Sequence, residues 1–183
     1  MKIYLAGPEV FCIDANALGE QKKALCAQYG FIGLFPLDTV IENAETPRAT
    51  GFTISDANEA LIREADIVVA NLTPFRGASA DVGTVYELGM ARGLGIHTHG
   101  YSNDPTLYSD RLLALFGDGQ AQVPGEIRDR DGLKIEEFGL HDNLMIDGGL
   151  RSNNGYFEIA KKKVAMTDMT TFESLLRKIS RSV

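Results

Sequence analysis

One short segment constrains this chain more than any other. Across residues 66–72, Ile67, Val68, Val69 and Ala70 follow one another with no polar residue between them. A strand with one face in water alternates apolar and polar side chains. An unbroken apolar run suits a strand covered on both faces, as in a parallel sheet with helices packed on each side. The flanking sequence repeats that plan. A strand is expected over 2–6 (Ile3, Tyr4, Leu5), closed by Gly7-Pro8. A helix over 16–29 follows, with Leu18, Lys22 and Leu25 at helical spacing and Gly30 as its C-cap. A second strand over 31–35 ends at Pro36, and 37–51 reads as a polar loop without a period. A helix over 53–65 places Ile54, Ala57, Leu61 and Ile62 on one side.

Beyond the apolar strand, a Pro- and Gly-containing loop over 73–81 leads into a helix over 84–92 closed by Gly93, then a strand over 95–99. Asp104-Pro105 opens a helix to 116, with Pro at the first helical position. The Gly-, Asp- and Arg-rich stretch 117–132 reads as an exposed, mobile insertion. A compact segment over 138–146 is followed by a turn at Gly148-Gly149. The last helix, 170–179, carries Phe172, Leu175, Leu176 and Ile179 at core spacing and is capped by Asp168 or Thr170. Strands and helices alternate, which gives an open α/β sheet with helices on both faces. No repeat or linker divides the chain, so residues 1–183 form one domain. Ligands of such sheets lie beyond the C-terminal strand ends, here the loops 7–15, 36–51, 73–83 and 99–105.

Composition excludes several classes of function. With 18 Lys plus Arg against 25 Asp plus Glu, the net charge is −7, the wrong sign for coating nucleic acid. No stretch approaches the roughly 20 apolar residues of a membrane span. Two cysteines, Cys12 and Cys26, make no CxxC pair and no disulfide scaffold, which suits a reducing, cytoplasmic setting. The first loop, Gly7-Pro8-Glu9-Val10-Phe11, lacks the G-x-G-x-x-G of a dinucleotide site, and there is no Walker lysine. His97 and His99 share a strand face without a third ligand, so no metal site is expected.

The chemistry gathers around Glu87. Thr84-x-x-Glu87 has the spacing of a capping box, a purely structural role. Gly83 and Gly89, however, flank it and permit close approach of another backbone or a ligand. Asp81 ends the preceding loop, and Asp56 falls near the start of the preceding helix at the same end of the sheet. Several carboxylates about an aromatic-lined pocket suit glycosyl transfer, where one carboxylate attacks the anomeric carbon and an acid serves the leaving group.

These residues carry a resemblance. Tyr4-Leu5-Ala6-Gly7-Pro8-x-Val10-Phe11, the 65–72 strand, Pro74-Phe75-Arg76-Gly77, Asp81-x-Gly83-Thr84-x-x-Glu87-x-Gly89 and Phe138-Gly139-Leu140-x-x-Asn143-Leu144-Met145 resemble the nucleoside 2-deoxyribosyltransferase family. The similarity covers about 1–147 and the last helix. The stretches 117–132 and 151–167 run longer than the family pattern.

The resemblance implies a flavodoxin-like, doubly wound parallel sheet of about five strands. It also implies transfer of a 2-deoxyribosyl group between nucleobases through a covalent glycosyl-enzyme ester, with net retention and no cofactor. By that match Glu87 is the nucleophile and Tyr4 orients it. Asp56, whose flanking residues differ from the pattern, is the acid for the base. Asp81 binds the sugar hydroxyls, and Phe11 stacks on the base. Asn143 reaches the 5′-hydroxyl from a neighbouring subunit, so the protein is expected to be at least a homodimer. Gly7, Gly83, Phe75 and Arg76 complete the expected substrate-binding set. The partners are then a deoxynucleoside and a free nucleobase. Two rivals remain: hydrolysis of deoxynucleosides or of their 5′-monophosphates, and a non-catalytic sensor of nucleotide-derived ligands. Glu9 would repel a 5′-phosphate, with Arg76 the only basic residue nearby.

Overall fold

A computed structural model describes residues 1–40, 45–119 and 124–182. Five strands form one sheet: β1 (Lys2–Ala6), β2 (Ile32–Leu34), β3 (Ile67–Asn71), β4 (His97–Ser102) and β5 (Phe157–Ile159), in the order β2-β1-β3-β4-β5. Every neighbouring pair is parallel, with Tyr4 opposite Val68 and Val69 opposite His99. Among the described residues six α-helices connect and cover the strands: α1 (Ala15–Gln28), α2 (Pro47–Glu64), α3 (Val82–Gly93), α4 (Tyr108–Phe116), α5 (Leu144–Ser152) and α6 (Thr170–Ile179). This is the doubly wound, flavodoxin-like arrangement.

The period of two along β1 and β3 divides the core between the two faces. Ile3, Leu5, Ile67 and Val69 pack with Phe172, Leu175, Leu176 and Ile179 of α6 and Cys26 of α1. Tyr4, Ala6, Val68 and Ala70 pack on the other face with Ile62 of α2, Leu88 and Ala91 of α3, and Leu150 of α5. Both rows of β3 are buried, as the unbroken apolar run required. Gly30 adopts φ 82 and closes α1; Phe31 N–H donates to Cys26 O and Gly30 N–H to Ala27 O, which satisfies two helix-end carbonyls.

Several boundaries differ from the sequence reading. The 37–51 loop is shorter, because α2 starts at Pro47, with Thr46 Oγ1 accepting from Ala49 N–H and Pro47 in the first turn; residues 41–44 lie outside the described residues. Only the C-terminal part of α2 packs on the sheet, through Ile62, whereas Phe52 and Ile54 are exposed. β4 runs on to Ser102. α4 begins at Tyr108, because Asp104 Oδ1 accepts from Thr106 N–H in a turn instead of opening a helix. Gly148-Gly149 is interior to α5, a helix capped by Asn143 and anchored by buried Ile146 and Leu150. The fifth strand lies in the segment after α5, where no strand was placed. Within 117–132, residues 120–123 are outside the described residues, and buried Asp129 accepts from the backbone N–H groups of Asp131 and Leu133. The last helix matches its expected bounds, and Asp168 Oδ1 accepts from Thr170 N–H at its start. Among the described residues no helix is long and apolar enough to cross a membrane.

Candidate active site

Strand order alone selects a crevice. After β1 the chain crosses to β2 on one side, and after β3 it crosses to β4 on the other. The two loops therefore diverge at the C-terminal ends of β1 and β3, the switch point where such sheets hold ligands. The first loop carries Phe11, and the second carries Phe75, Arg76 and Asp81.

Tyr4 points from β1 to the face covered by α2 and α3, and it is wholly buried. Its hydroxyl donates to Glu87 Oε1 at 2.6 Å. Glu87 lies in the second turn of α3, not the first. The cap of that helix is Asp81, whose Oδ2 accepts from Thr84 N–H at 2.9 Å and from Thr84 Oγ1–H at 3.0 Å. The capping-box role for Glu87 is thereby replaced: Asp81 and Thr84 close the helix start, and Glu87 bonds across to the sheet. Burial pushes the Glu87 carboxyl up from the ordinary 4.5 to about 7; the Tyr4 hydrogen bond opposes this and the Asp81 charge adds to it. Tyr4 is raised well above its ordinary value by burial, then by the neighbouring Glu87 charge, so it remains a hydrogen-bond donor.

The rings of Phe11 and Phe75 stack 5.3 Å apart with 12° between their planes. The Arg76 guanidinium lies over both, 5.1 Å from the Phe11 centroid and 4.7 Å from that of Phe75. Arg76 adopts φ 53, left-handed backbone that is uncommon for a side-chain-bearing residue. Phe11 remains 55% exposed, a large apolar surface at the mouth of the crevice. A Cβ on Gly83 would stand 3.1 Å from Asp81 Oδ2, whereas one on Gly89 would meet open space, so close approach within the chain applies to Gly83 alone.

Asp56 is placed differently from expectation. With α2 starting at Pro47, Asp56 sits in mid-helix, exposed, one turn before Glu59, which accepts from the Tyr86 hydroxyl at 2.7 Å. The carboxylate acting on Glu87 is Asp81. Asn143 caps α5: its Oδ1 accepts from Met145 N–H at 3.0 Å, and its Nδ2 donates to Glu136 Oε1 at 2.8 Å. His99 lies in mid-β4, not at a strand end. Its Nδ1 accepts from Tyr156 N–H, and burial, helped by His97, lowers its pKa to about 4. Among the described residues no group of three or more His, Cys, Asp or Glu could hold a metal ion.

Two buried polar clusters had not been singled out. Glu9 is buried, with Lys22 Nζ 2.5 Å from its Oε1, so it does not face the crevice and cannot repel a phosphate there. Although burial raises the Glu9 carboxyl, Lys22 and the hydrogen bonds bring it below the ordinary range. A lysine at a core position of α1 was the available signal, since a buried ammonium requires an acid. The second cluster is Asp142, also buried. It accepts from Ser79 Oγ–H, from Ala80 N–H at 2.9 Å and from Asn143 N–H at 2.8 Å, with Arg111 at 3.8 Å. Arg111 in turn donates to Ala78 O and His141 O, both at 2.6 Å. The loop ending at Asp81 is thus tied to the one ending at Asn143. A cavity of about 690 Å³ between α5 and β5, lined by Leu140, Leu150, Tyr156 and Phe157, contains none of the Glu87 cluster. The hydrogen-bonded pair of Tyr4 and Glu87 lies apart from that cavity.

The family model described as nucleoside 2-deoxyribosyltransferase matches residues 3–145. The chain is similar to the 2-desoxiribosyltransferase from Leishmania mexicana, with 28% identity, TM-score 0.67, and coverage of 98% of this chain and 97% of that one. A Schizosaccharomyces pombe relative, the uncharacterized protein C191.05c, is 28% identical over 169 residues, covering 86% of this chain and 80% of its own. A conserved protein from Enterococcus faecalis, 23% identical with TM-score 0.59, covers 100% of this chain and 99% of that one and shares the fold.

Proposed function

The chain belongs to the nucleoside 2-deoxyribosyltransferase family, and from that premise we propose that it moves a 2-deoxyribosyl group from one nucleobase to another through an ester on Glu87. The observation that carries this reading is the 2.6 Å hydrogen bond from a wholly buried Tyr4 to Glu87 at the sheet's switch point. A carboxylate with one oxygen held by a tyrosine has its other oxygen free to attack C1′ from the face opposite the base. The O–C1′ bond forms as the C1′–N bond breaks, and the electron pair departs with the base, which takes a proton. The incoming base then attacks C1′ from the vacated face, its attacking nitrogen returns a proton to the acid that protonated the first base, and Glu87 leaves as the carboxylate. Two inversions give net retention.

The other residues take supporting parts in this proposal. Glu87 stabilises positive charge at C1′ in a partly desolvated setting. The Phe11–Phe75 stack, capped by Arg76, offers the base an aromatic seat beside Gly7. Asp81, next to Gly83, hydrogen-bonds the sugar hydroxyls. Asp56 supplies the proton to the base; in its favour stands the α2 flank it shares with Glu59, which reaches Tyr86 beside the nucleophile. Asn143, with exposed Leu144 and Met145 beside it, meets the 5′-hydroxyl of a substrate in a second copy of the chain.

Incubation with a deoxynucleoside and a different free base tests the proposal. A new nucleoside is expected. Free deoxyribose without a new nucleoside would make the protein a hydrolase, and no reaction with the deoxynucleoside or with its 5′-monophosphate would favour a sensor.

A further inference from the structure

A carboxylate and an ammonium removed from water must find each other and satisfy their remaining hydrogen-bonding capacity. Glu9 and Lys22 meet beneath the first loop, on the α1 and α6 face of the sheet. Lys22 lies over the rings of Tyr101 and Phe172, 5.5 and 5.1 Å from their centroids. Glu9 Oε1 collects three donors: Lys22 Nζ at 2.5 Å, Asn71 Nδ2 at 2.9 Å and the Tyr101 hydroxyl at 2.9 Å. Its Oε2 is buried without a hydrogen-bond partner and fills the space a side chain at Gly7 would need: a Cβ there would stand 2.0 Å from it. Tyr4 and Glu87 lie across the sheet, so this pair takes no part in their chemistry.

The connections run onward from Asn71. Its Oδ1 accepts from Thr73 N–H at 3.1 Å and Thr73 Oγ1–H at 2.6 Å, at the root of the loop that carries Phe75 and Arg76. Its Nδ2 also donates to Met166 O at 3.2 Å, and Thr73 Oγ1 accepts from Asn103 N–H. Glu9 is two residues before Phe11. One buried hub therefore holds the roots of both loops whose tips meet in the Phe11–Phe75 stack.

We propose that Glu9 is a positioning residue for base recognition, setting through Lys22, Tyr101 and Asn71 the separation of the loop bearing Phe11 from the loop bearing Phe75 and Arg76. This rests on the reading of that stack as the seat of the nucleobase. Stacking depends on ring separation at the scale of an ångström; beyond the last ladder pair, Ala6 with Ala70, this hub ties the root of one loop to the root of the other. The nucleophile Glu87 and its partner Tyr4 stand on α3 and β1, on the other face of the sheet.

The test is Glu9→Gln in the full chain. Isothermal calorimetry with free adenine should give a Kd raised roughly ten-fold, in line with the sensitivity of positioned groups to small displacements. The KM for adenine as acceptor should rise in parallel. The kcat at saturating base should stay within about three-fold of the parent, and the acidic limb of the pH profile should not move, because the nucleophile is untouched. A merely structural role would lower the unfolding midpoint and leave the base Kd at the parental value, which overturns the proposal. Should Glu9→Gln fail to fold, Glu9→Gln with Lys22→Met removes both charges together and must show the same ten-fold loss; parental affinity there is equally fatal. A parent protein that binds no adenine overturns the reading of the seat itself, a result distinct from a parent that binds and a variant that binds as well.

Discussion

The acidic limb of kcat/KM should have its midpoint near 7, and two substitutions should move it in opposite directions. An attacking carboxylate must be ionised, so activity rises as pH passes through the Glu87 value, which burial has pushed to about 7. Tyr4 donates to the ionised form at 2.6 Å and holds that value down. A hydrogen bond to a charged group contributes about 1.5–3 kcal/mol, and about 1.4 kcal/mol corresponds to one pH unit. Tyr4→Phe should therefore raise the midpoint by roughly 1–2 units, to about 8–9. Asp81 places a second negative charge near Glu87 and holds its value up. Asp81→Asn keeps a capping oxygen, removes the charge and should lower the midpoint by roughly half a unit. The assay is initial-rate transfer between two bases across about pH 5–10, which brackets the expected midpoints. Midpoints that move together, or a Tyr4→Phe midpoint equal to the parent's, would refute the assignment of Glu87 as the titrating nucleophile held by Tyr4.

The same displacement affects stability. The folded value of Glu87 lies above its unfolded 4.5, so between 4.5 and 7 the native state holds more protons and stability falls as pH rises. Glu87→Gln should abolish transfer and, relative to the parent, gain up to roughly 3 kcal/mol in urea unfolding at pH 8 over pH 4.5. Gly7→Ala should lower unfolding free energy by about 1–3 kcal/mol, since its Cβ would collide with Glu9 Oε2 and crowd Asn71 Cβ; a urea midpoint equal to the parent's would show that Glu9 yields freely. Arg111→Met leaves Asp142 buried without its cation and should cost about 3–5 kcal/mol by the same measurement. Asp56→Asn should slow single-turnover release of poor leaving bases far more than activated ones; a constant ratio of parent to variant rates across bases of rising leaving-group pKa would remove Asp56 as the proton source.

Much of this was legible in the chain alone, wherever structure follows from neighbours along it. The apolar run at Ile67–Ala70, the spacing of Phe172, Leu175, Leu176 and Ile179, and Gly30 after α1 each specify an element through local period or backbone freedom. Those signals determined the class of fold and most of its elements, and the ordered motifs around Tyr4, Asp81 and Glu87 pointed to the same crevice. Where competing local signals were close in strength, only packing decided. Gly148-Gly149 reads as a turn until Ile146 and Leu150 bury themselves against the sheet, and Thr46-Pro47 starts a helix ten residues before Ala57. Contacts between residues distant in sequence belong to the tertiary structure by their nature. Tyr4 meets Glu87 because β1 lies beside β3, and α3 covers the face to which even positions of β1 point. Glu9 meets Lys22 and Asn71 because the β1 and β3 ends adjoin over α1. A sequence states which residues carry charge. Whether a charge such as that of Glu9 faces water or another charge is fixed by strand order, because desolvation depends on what surrounds a group in space.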